Sequence, residues 1–307
     1  MTKKTTFGRE LKADLRRNYV LYLMVLPVVV FYIVFHYVPM YGVIIAFKDY
    51  DPGWGIMESA WVGFKNFTDF FKNVYFWRLM RNTLSISFAS LIFGFPAPII
   101  FALLINEVRN KYFSKTIKTV TYLPHFISLV VVCGMIKDFT GANGIITQLC
   151  MKFGAPNKAM LSDENLFLPI YVISDIWQNI GWDSIIYVAA LTGINQELYE
   201  ACSIDGGGRW RQTLHVTLPG ILPTIIIMLI LRMGGILSVG YEKIILLYNE
   251  SIYSTADVIS SYVYRKGLVE ANYSFATAVG LFNAVVNIIF LVAANKISRK
   301  ITDSSLW

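Results

Sequence analysis

The side chains best suited to binding chemistry are Asp175, Gln178, Asn179, Trp182 and Asp183, spaced i, i+3, i+4, i+7 and i+8. On a helix that spacing gathers them on one arc. Two carboxylates and two amides accept from and donate to hydroxyl groups, and an indole offers a flat apolar face. Such an arc suits a polyhydroxylated ligand held without covalent change. Polar side chains also bond one membrane helix to another, so interhelical bonding is the competing reading of each of these residues. Arg232 stands in a separate apolar stretch. If the two stretches run in opposite directions, the 1.5 Å rise per residue puts it level with Asp175. The expected arrangement is a buried Asp175–Arg232 pair, which offsets the cost of leaving either charge alone. The rival is that Arg232 reads an acidic sugar.

These residues sit in apolar surroundings. Of the 307 residues, 55% are hydrophobic and only 15% charged, with a mean hydropathy of +0.53, whereas soluble domains carry roughly 25% charged residues. About 20 apolar residues cross the hydrocarbon layer as a helix, and six blocks qualify: 19–47, 82–106, 119–136, 166–194, 214–239 and 275–295. The first follows Lys3, Lys4, Arg9, Lys12, Arg16 and Arg17 but is too long for a signal peptide's apolar core. It reads as a retained helix bent by Pro27 and Pro39, and Gly94, Pro96 and Pro98 predict a kink in the second.

More than half of the 27 basic residues fall in 1–18, 107–118, 195–213 and 296–307. Basic residues stay on the cytoplasmic side during insertion, so these segments are expected inside, with a basic N-terminus and a short tail both cytoplasmic. The pI of 9.2 is then a membrane signature, since a nucleic-acid surface would cluster its basic residues with interleaved aromatics. Cys133, Cys150 and Cys202 fall in a span, an outer loop and an inner loop, and imply neither a disulfide framework nor a metal site. His36, His125 and His215 lie on different segments without repeated acidic partners and receive no chemistry. In the outer loop, Phe64, Phe67, Phe70, Phe71 and Tyr75 predict an amphipathic helix, read as an interfacial aromatic belt.

The inner segment between the fourth and fifth blocks carries the most specific pattern, GINQELYEACSIDGGGRWRQTLHVTLPGILP, from Gly193 to Pro223. Asn195 can cap a helix, Glu197 suits its first turn, and Leu198, Ala201 and Cys202 form a small apolar face before Gly206, Gly207 and Gly208 end it. A short cytoplasmic helix of this kind suits docking into a groove on another protein. The stretch resembles the EAA loop of binding-protein-dependent ABC importers: E-A-A, three residues, G, nine residues, then I-x-L-P. Glu200, Ala201, Cys202, Gly206, Val216, Leu218 and Pro219 occupy those positions with every spacing kept, Cys202 replacing Ala and Val216 replacing Ile.

Tyr199 ahead of the Glu and Asp205 before the glycines resemble the sugar-importer branch. TYLPHFIS, VGYEKIILLYN, YSFATAVGLFNAVVN and the terminal SLW extend that likeness, to permeases for oligosaccharides cut from polysaccharides, over nearly the whole chain. The resemblance implies an all-α integral membrane protein with six transmembrane helices, the MetI-like fold of type I ABC importer permeases. It also implies that Tyr199, Glu200, Ala201, Cys202, Asp205, Gly206, Gly207, Leu218 and Pro219 couple the helices to an ATPase. The chain holds no G-x-x-x-x-G-K-[ST] loop, so no cofactor is expected on it, and ATP and Mg belong to a partner. Implied partners are a second homologous permease chain, two ABC ATPase subunits and an extracellular lipid-anchored binding protein, in a bacterial plasma membrane. Nucleic acid is not among them. The rivals are a secondary transporter driven by an ion gradient, a permease for a non-sugar solute, and a membrane-embedded enzyme, whose clustered catalytic residues are missing from the sequence.

Overall fold

In the computed structural model, which describes residues 7–302 and 305–306, helices carry nearly all of the architecture. Lys3, Lys4 and Trp307 lie outside the described residues. A basic amphipathic helix α1 (Phe7–Arg17) leads into the apolar rod α2 (Tyr19–Phe47). Every residue from Tyr19 to Tyr41 is exposed, and only the last turns, Tyr41–Phe47, pack on the final helix. The strands β1 (Lys48–Asp49) and β2 (Ala60–Trp61) pair antiparallel, a small departure from an all-α chain. The predicted aromatic helix is α3 (Lys65–Lys72). Phe64 and Phe71 are exposed, as a belt requires, but Phe70 is buried with Phe76, Leu79, Tyr262 and Phe275 and anchors the loop to the bundle.

Next come α4 (Phe76–Asn106), α5 (Lys111–Tyr122), α6 (Leu129–Thr140), α7 (Ile145–Met151) and α8 (Phe167–Thr192). The block expected over 119–136 is not one helix. Proline cannot continue the hydrogen-bond ladder, so α5 ends at Tyr122, Pro124 sits in a 3-10 turn (Leu123–Phe126), and Ser128 caps α6 by accepting from the Val131 amide. At Gly181 the gap between α8 and this break closes: a Cβ there would lie 2.3 Å from the Thr121 carbonyl oxygen.

The short helix α9 (Gln196–Ile204) precedes α10 (Arg209–Met233), which begins inside the expected loop. The expected span to residue 239 stops at Met233. Between it and α11 (Tyr241–Leu247) the backbone is not helical, and neighbouring side chains satisfy it. Ser87 donates to the Ile236 carbonyl, Asn287 accepts from the Leu237 amide at 3.0 Å, and Ser260 donates to the Val239 carbonyl at 2.7 Å. Irregular backbone at membrane depth survives only with such partners or beside a cavity. The chain closes with α12 (Ile259–Tyr264) and α13 (Tyr273–Thr302).

Among the described residues, five helical segments are long and apolar enough to cross a membrane: Tyr19–Phe47, Phe76–Asn106, Leu129–Met151, Arg209–Met233 and Tyr273–Lys300. The sixth expected span, α8, has 26 residues, about 39 Å at 1.5 Å each. Length is not what sets it apart; its polar arc is. α8 is nevertheless the centre of the bundle, packing against the Pro96–Asn106 half of α4, α5 and α10. Ile99, Ala102, Tyr187, Leu191, Ile194 and Ile221 form the core at one end of it, and Phe167, Tyr171, Val172, Ile244 and Leu247 belong to the core at the other.

Three of the four π turns among the described residues stand just ahead of a proline; the fourth, Arg265–Val269, does not. Proline's ring clashes with the carbonyl four residues back, and a turn widened to i→i−5 moves that carbonyl aside. Ser90–Gly94 is such a π turn, closed by the Phe95 amide on the Ser90 carbonyl at 3.0 Å, just ahead of Pro96. Ile33–Tyr37 repeats it before Pro39 and Thr213–Thr217 before Pro219, always with one residue between. The α-helix continues through Pro27 without such a turn.

A charged node that the sequence did not flag ties the loops after α11 to α4. Asp257 is fully buried, receives Arg265 through both guanidinium NH2 groups at 2.9 and 2.6 Å, and has Arg78 at 3.3 Å. Burial works against the Arg265 charge, but the bonds to Asp257 and Tyr248 outweigh it and raise its pKa.

Candidate functional site

A cavity of about 800 Å³ lies between α4, α8, the end of α10 and α11. Pockets for small ligands run to about 300–1,000 Å³, so it has room for more than one sugar ring. Asp175, Gln178, Asn179 and Asp183 line it from α8, and Arg232 lines it from α10. Ser238 and Gly240 of the non-helical stretch contribute backbone and a hydroxyl, and Ser87 and Ser90 contribute from α4.

Trp182 does not join them. Its ring lies flat on His125, with centroids 4.6 Å apart and planes 4° apart, and edge-on to Phe126. The arc is wide enough that its edge residue turns toward the Pro124 break instead of the cavity. His125 faces the cavity in its place and shares a 3.0 Å hydrogen bond between its Nδ1 and Asn179 Oδ1. It is held by stacking and by an amide that is itself bonded, Asn179 Nδ2 donating to Asp175 Oδ1 at 3.3 Å.

The expected Asp175–Arg232 pair is not formed. Lys243 takes that carboxylate: its Nζ is 3.3 Å from Asp175 Oδ1, donates to the Tyr171 carbonyl at 3.3 Å, and lies 4.8 Å from the Tyr171 ring centroid. The Lys243 side chain is only 5% exposed. The physical reason is the break at Met233: because the chain folds back as α11 instead of leaving the bundle, a residue expected in an outer loop returns to the cavity wall. Arg232 has no hydrogen-bond or ion-pair partner for its side chain among the described residues.

Both Lys243 and His125 escaped the sequence reading as site residues. For Lys243 the signal was present, a lone lysine inside the apolar run YEKIILL after GGILSVG. For His125 nothing in the linear spacing pointed to Asn179, which is 54 residues away.

The second candidate element is α9. Asn195 caps it, its Oδ1 accepting from the Glu197 amide at 3.0 Å. Its C-terminus is a Schellman turn: the Gly207 amide reaches the Cys202 carbonyl at 2.8 Å, the Gly206 amide reaches Ser203, and Gly206 has a φ of +77°. A Cβ on Gly207 would meet the Cys202 sulfur at 2.5 Å.

Three bonds then clamp α9 to the start of α10. Tyr199 OH lies 3.1 Å from Thr217 Oγ1, and Gln212 Nε2 donates to Ser203 Oγ at 2.8 Å and to the Tyr199 carbonyl at 3.4 Å. Thr217 is buried; Glu200, Ala201, Asp205 and Gly206 are exposed, and Cys202 and Gly207 half-buried. Leu218 and Pro219 follow directly on the π turn. The helix therefore offers a free face while its other face is fixed to a membrane helix. Among the described residues no group of three or more His, Cys, Asp or Glu is placed to hold a metal ion.

Residues 94–303 match the family described as binding-protein-dependent transport system inner membrane component. The chain is 45% identical to protein LplB of Bacillus subtilis, over 96% of this chain and 93% of that one. It is 41% identical to the polygalacturonan/rhamnogalacturonan transport system permease protein YteP of the same organism, over 94% and 90%. A chain in the crystal structure of a bacterial ABC transporter involved in the import of the acidic polysaccharide alginate superposes with a TM-score of 0.87 at 44% identity, covering 95% of this chain and 99% of that chain. That transporter's complex with an alginate pentasaccharide-bound periplasmic protein matches equally well, at 0.87 and 44%.

Proposed function

The chain belongs to the family of binding-protein-dependent transport system inner membrane components, and from that membership we propose that it is the permease half of an ABC importer for oligosaccharides released from polysaccharides. The cargo class is supported by the relatives whose names carry polysaccharide substrates and by a cavity walled with carboxylates, amides and hydroxyls. The observation that carries the mechanism is the continuity of one structure. α8 walls the cavity, and its end leads through Gly193, Ile194 and Asn195 into α9, which is clamped to α10.

Cargo arrives from an extracellular binding protein and enters the cavity from the outer side, where Lys243 and Asp175 stand. Tyr199, Glu200, Ala201, Cys202, Asp205, Gly206 and Gly207 dock on an ATPase subunit. When two such subunits close on ATP and Mg, α9 moves, the Tyr199–Thr217 and Gln212–Ser203 bonds carry the motion to Leu218, Pro219 and α10, and the cavity changes the side to which it opens. No bond in the cargo is made or broken. A second, homologous permease chain completes the path. Both termini face the cytoplasm, as the distribution of Lys and Arg supports.

The test is uptake by proteoliposomes holding the whole transporter. Oligosaccharide should accumulate only with internal ATP and external binding protein, and Gly206→Val should reduce it at least tenfold, because a β-branched residue at positive φ strains the turn by about 1–3 kcal/mol. Uptake driven by a proton or sodium gradient without ATP contradicts the proposal.

A further inference from the structure

Charge enters the cavity from four places. Asp175 and Asp183 come from α8, Arg232 from α10, Glu242 and Lys243 from α11, and His125 from the turn before α6. Lys243 is already committed to Asp175 and to the Tyr171 carbonyl, and His125 to Asn179 and Trp182. Asp183 and Glu242 have no ion-pair partner among the described residues, but a carboxylate needs none to bind a sugar, because hydroxyl groups donate to it. Asp183 lies two turns along α8 from Asp175, about 12 Å away, and Glu242 lies beside Lys243. The acids are thus spread along the cavity, where successive rings of a chain would pass.

Arg232 is different in kind. Its guanidinium only donates, in a flat fork that fits a carboxylate through two parallel bonds. A neutral sugar offers nothing that calls for a full positive charge. An arginine without a bonded counter-ion at membrane depth is costly and marks a pathway by default: of the acids lining the cavity, Asp175 is taken by Lys243, and neither Asp183 nor Glu242 forms an ion pair with Arg232. The guanidinium fork on the wall is therefore left free of any hydrogen-bonded carboxylate among the described residues.

We infer that Arg232 is a specificity residue that binds a carboxylate on the cargo, so that the oligosaccharides carried by this chain contain uronic acid units. This rests on the permease reading above and adds to it the acidity of the cargo and the residue that reads it. Gln178, which lines the same wall and has no hydrogen-bond partner for its side chain among the described residues, is placed to bond ring hydroxyls beside the carboxylate. Lysine is a poor replacement for the fork but keeps the charge.

The experiment compares uptake of a uronic acid trisaccharide with uptake of its carboxyl-reduced, neutral counterpart, in proteoliposomes holding the complete transporter, ATP and the binding protein. Arg232→Gln should lower uptake of the acidic sugar about tenfold more than it lowers uptake of the neutral one, while Arg232→Lys should restore much of the acidic uptake. Thermal melting of the detergent-purified transporter with each sugar reads the same preference without delivery by the binding protein: the acidic sugar should raise the parent's Tm more than the neutral one, and Arg232→Gln should abolish that difference. Equal loss for both sugars, unchanged acidic uptake, or equal Tm shifts in the parent would overturn the assignment. Absence of ATP-dependent uptake of either sugar by the parent transporter would instead remove the permease reading on which it stands.

Discussion

Lys243 shows what a single side chain can decide. Its Nζ lies 3.3 Å from Asp175 in a site where the lysine is 5% exposed and the aspartate 32%. Breaking a fully buried pair costs about 3–5 kcal/mol, because the remaining charge is left alone. With Asp175 partly open to the cavity, Lys243→Met should cost less, about 1–3 kcal/mol, read as a lower Tm of the purified transporter. Adding Asp175→Asn should recover part of that loss, since the unpaired charge is then gone; a strictly additive double variant would show that the two do not interact. At this scale the sequence was half legible. Helical spacing placed Asp175, Gln178, Asn179 and Asp183 on one wall, because that geometry is local. The identity of the partner cation was not legible, because it depends on where a chain 68 residues away folds back. Trp182 failed for a related reason, as the arc's edge is claimed by His125 once the Pro124 break brings it close.

Among the elements, the three π turns that precede a proline share a spacing that makes their cause testable. Thr213–Thr217 starts directly after the clamp residue Gln212, contains the other, Thr217, and ends where the apolar run begins at Leu218. Pro219→Ala removes the ring that the widened turn accommodates and supplies an amide for the His215 carbonyl. The turn should tighten to an ordinary α-helical one, shifting the register of Tyr199 against Thr217. Sugar carried per ATP hydrolysed should drop several-fold while ATP hydrolysis persists; an unchanged ratio would show that the wide turn has no part in transmission. Helix ends marked by a cap were legible, as at Asn195 and Gly206, whereas the break at Pro124 inside an apolar run was not. The stop at Met233 was not, because GGILSVG is apolar enough to continue a span, and its side-chain partners, Ser87, Ser260 and Asn287, come from three distant elements.

The whole molecule was legible as a set of apolar lengths and a charge asymmetry, and less so as an exact number of crossings. α8 has the length of a span but carries the polar arc at its middle, so composition alone separates it from the five apolar helices. The proposed placement of α9 on the cytoplasmic side yields a prediction for the intact assembly. Cys202 is half-buried behind the exposed Glu200 and Ala201, so in inside-out vesicles a membrane-impermeant maleimide should modify it slowly in the transporter lacking ATPase subunits. Addition of those subunits should reduce labelling at least fivefold. Labelling of Cys202 from the outer side of right-side-out vesicles would reverse the topology.

The exposed rod α2 has a mechanical consequence. It is anchored near Phe47, where Ala46 is buried, Phe47 stacks on Trp61 and Tyr41 OH donates to Met57 Sδ at 2.7 Å, while every residue from Tyr19 to Met40 is exposed. A rod fixed at one end magnifies angle into displacement. With 29 residues it is about 43 Å long at 1.5 Å per residue, so a tilt of about 10° about the fixed end carries the basic helix α1 sideways by roughly 7 Å at the opposite membrane face. A small rotation of α13 where Tyr41–Phe47 packs on it would therefore reach α1 enlarged.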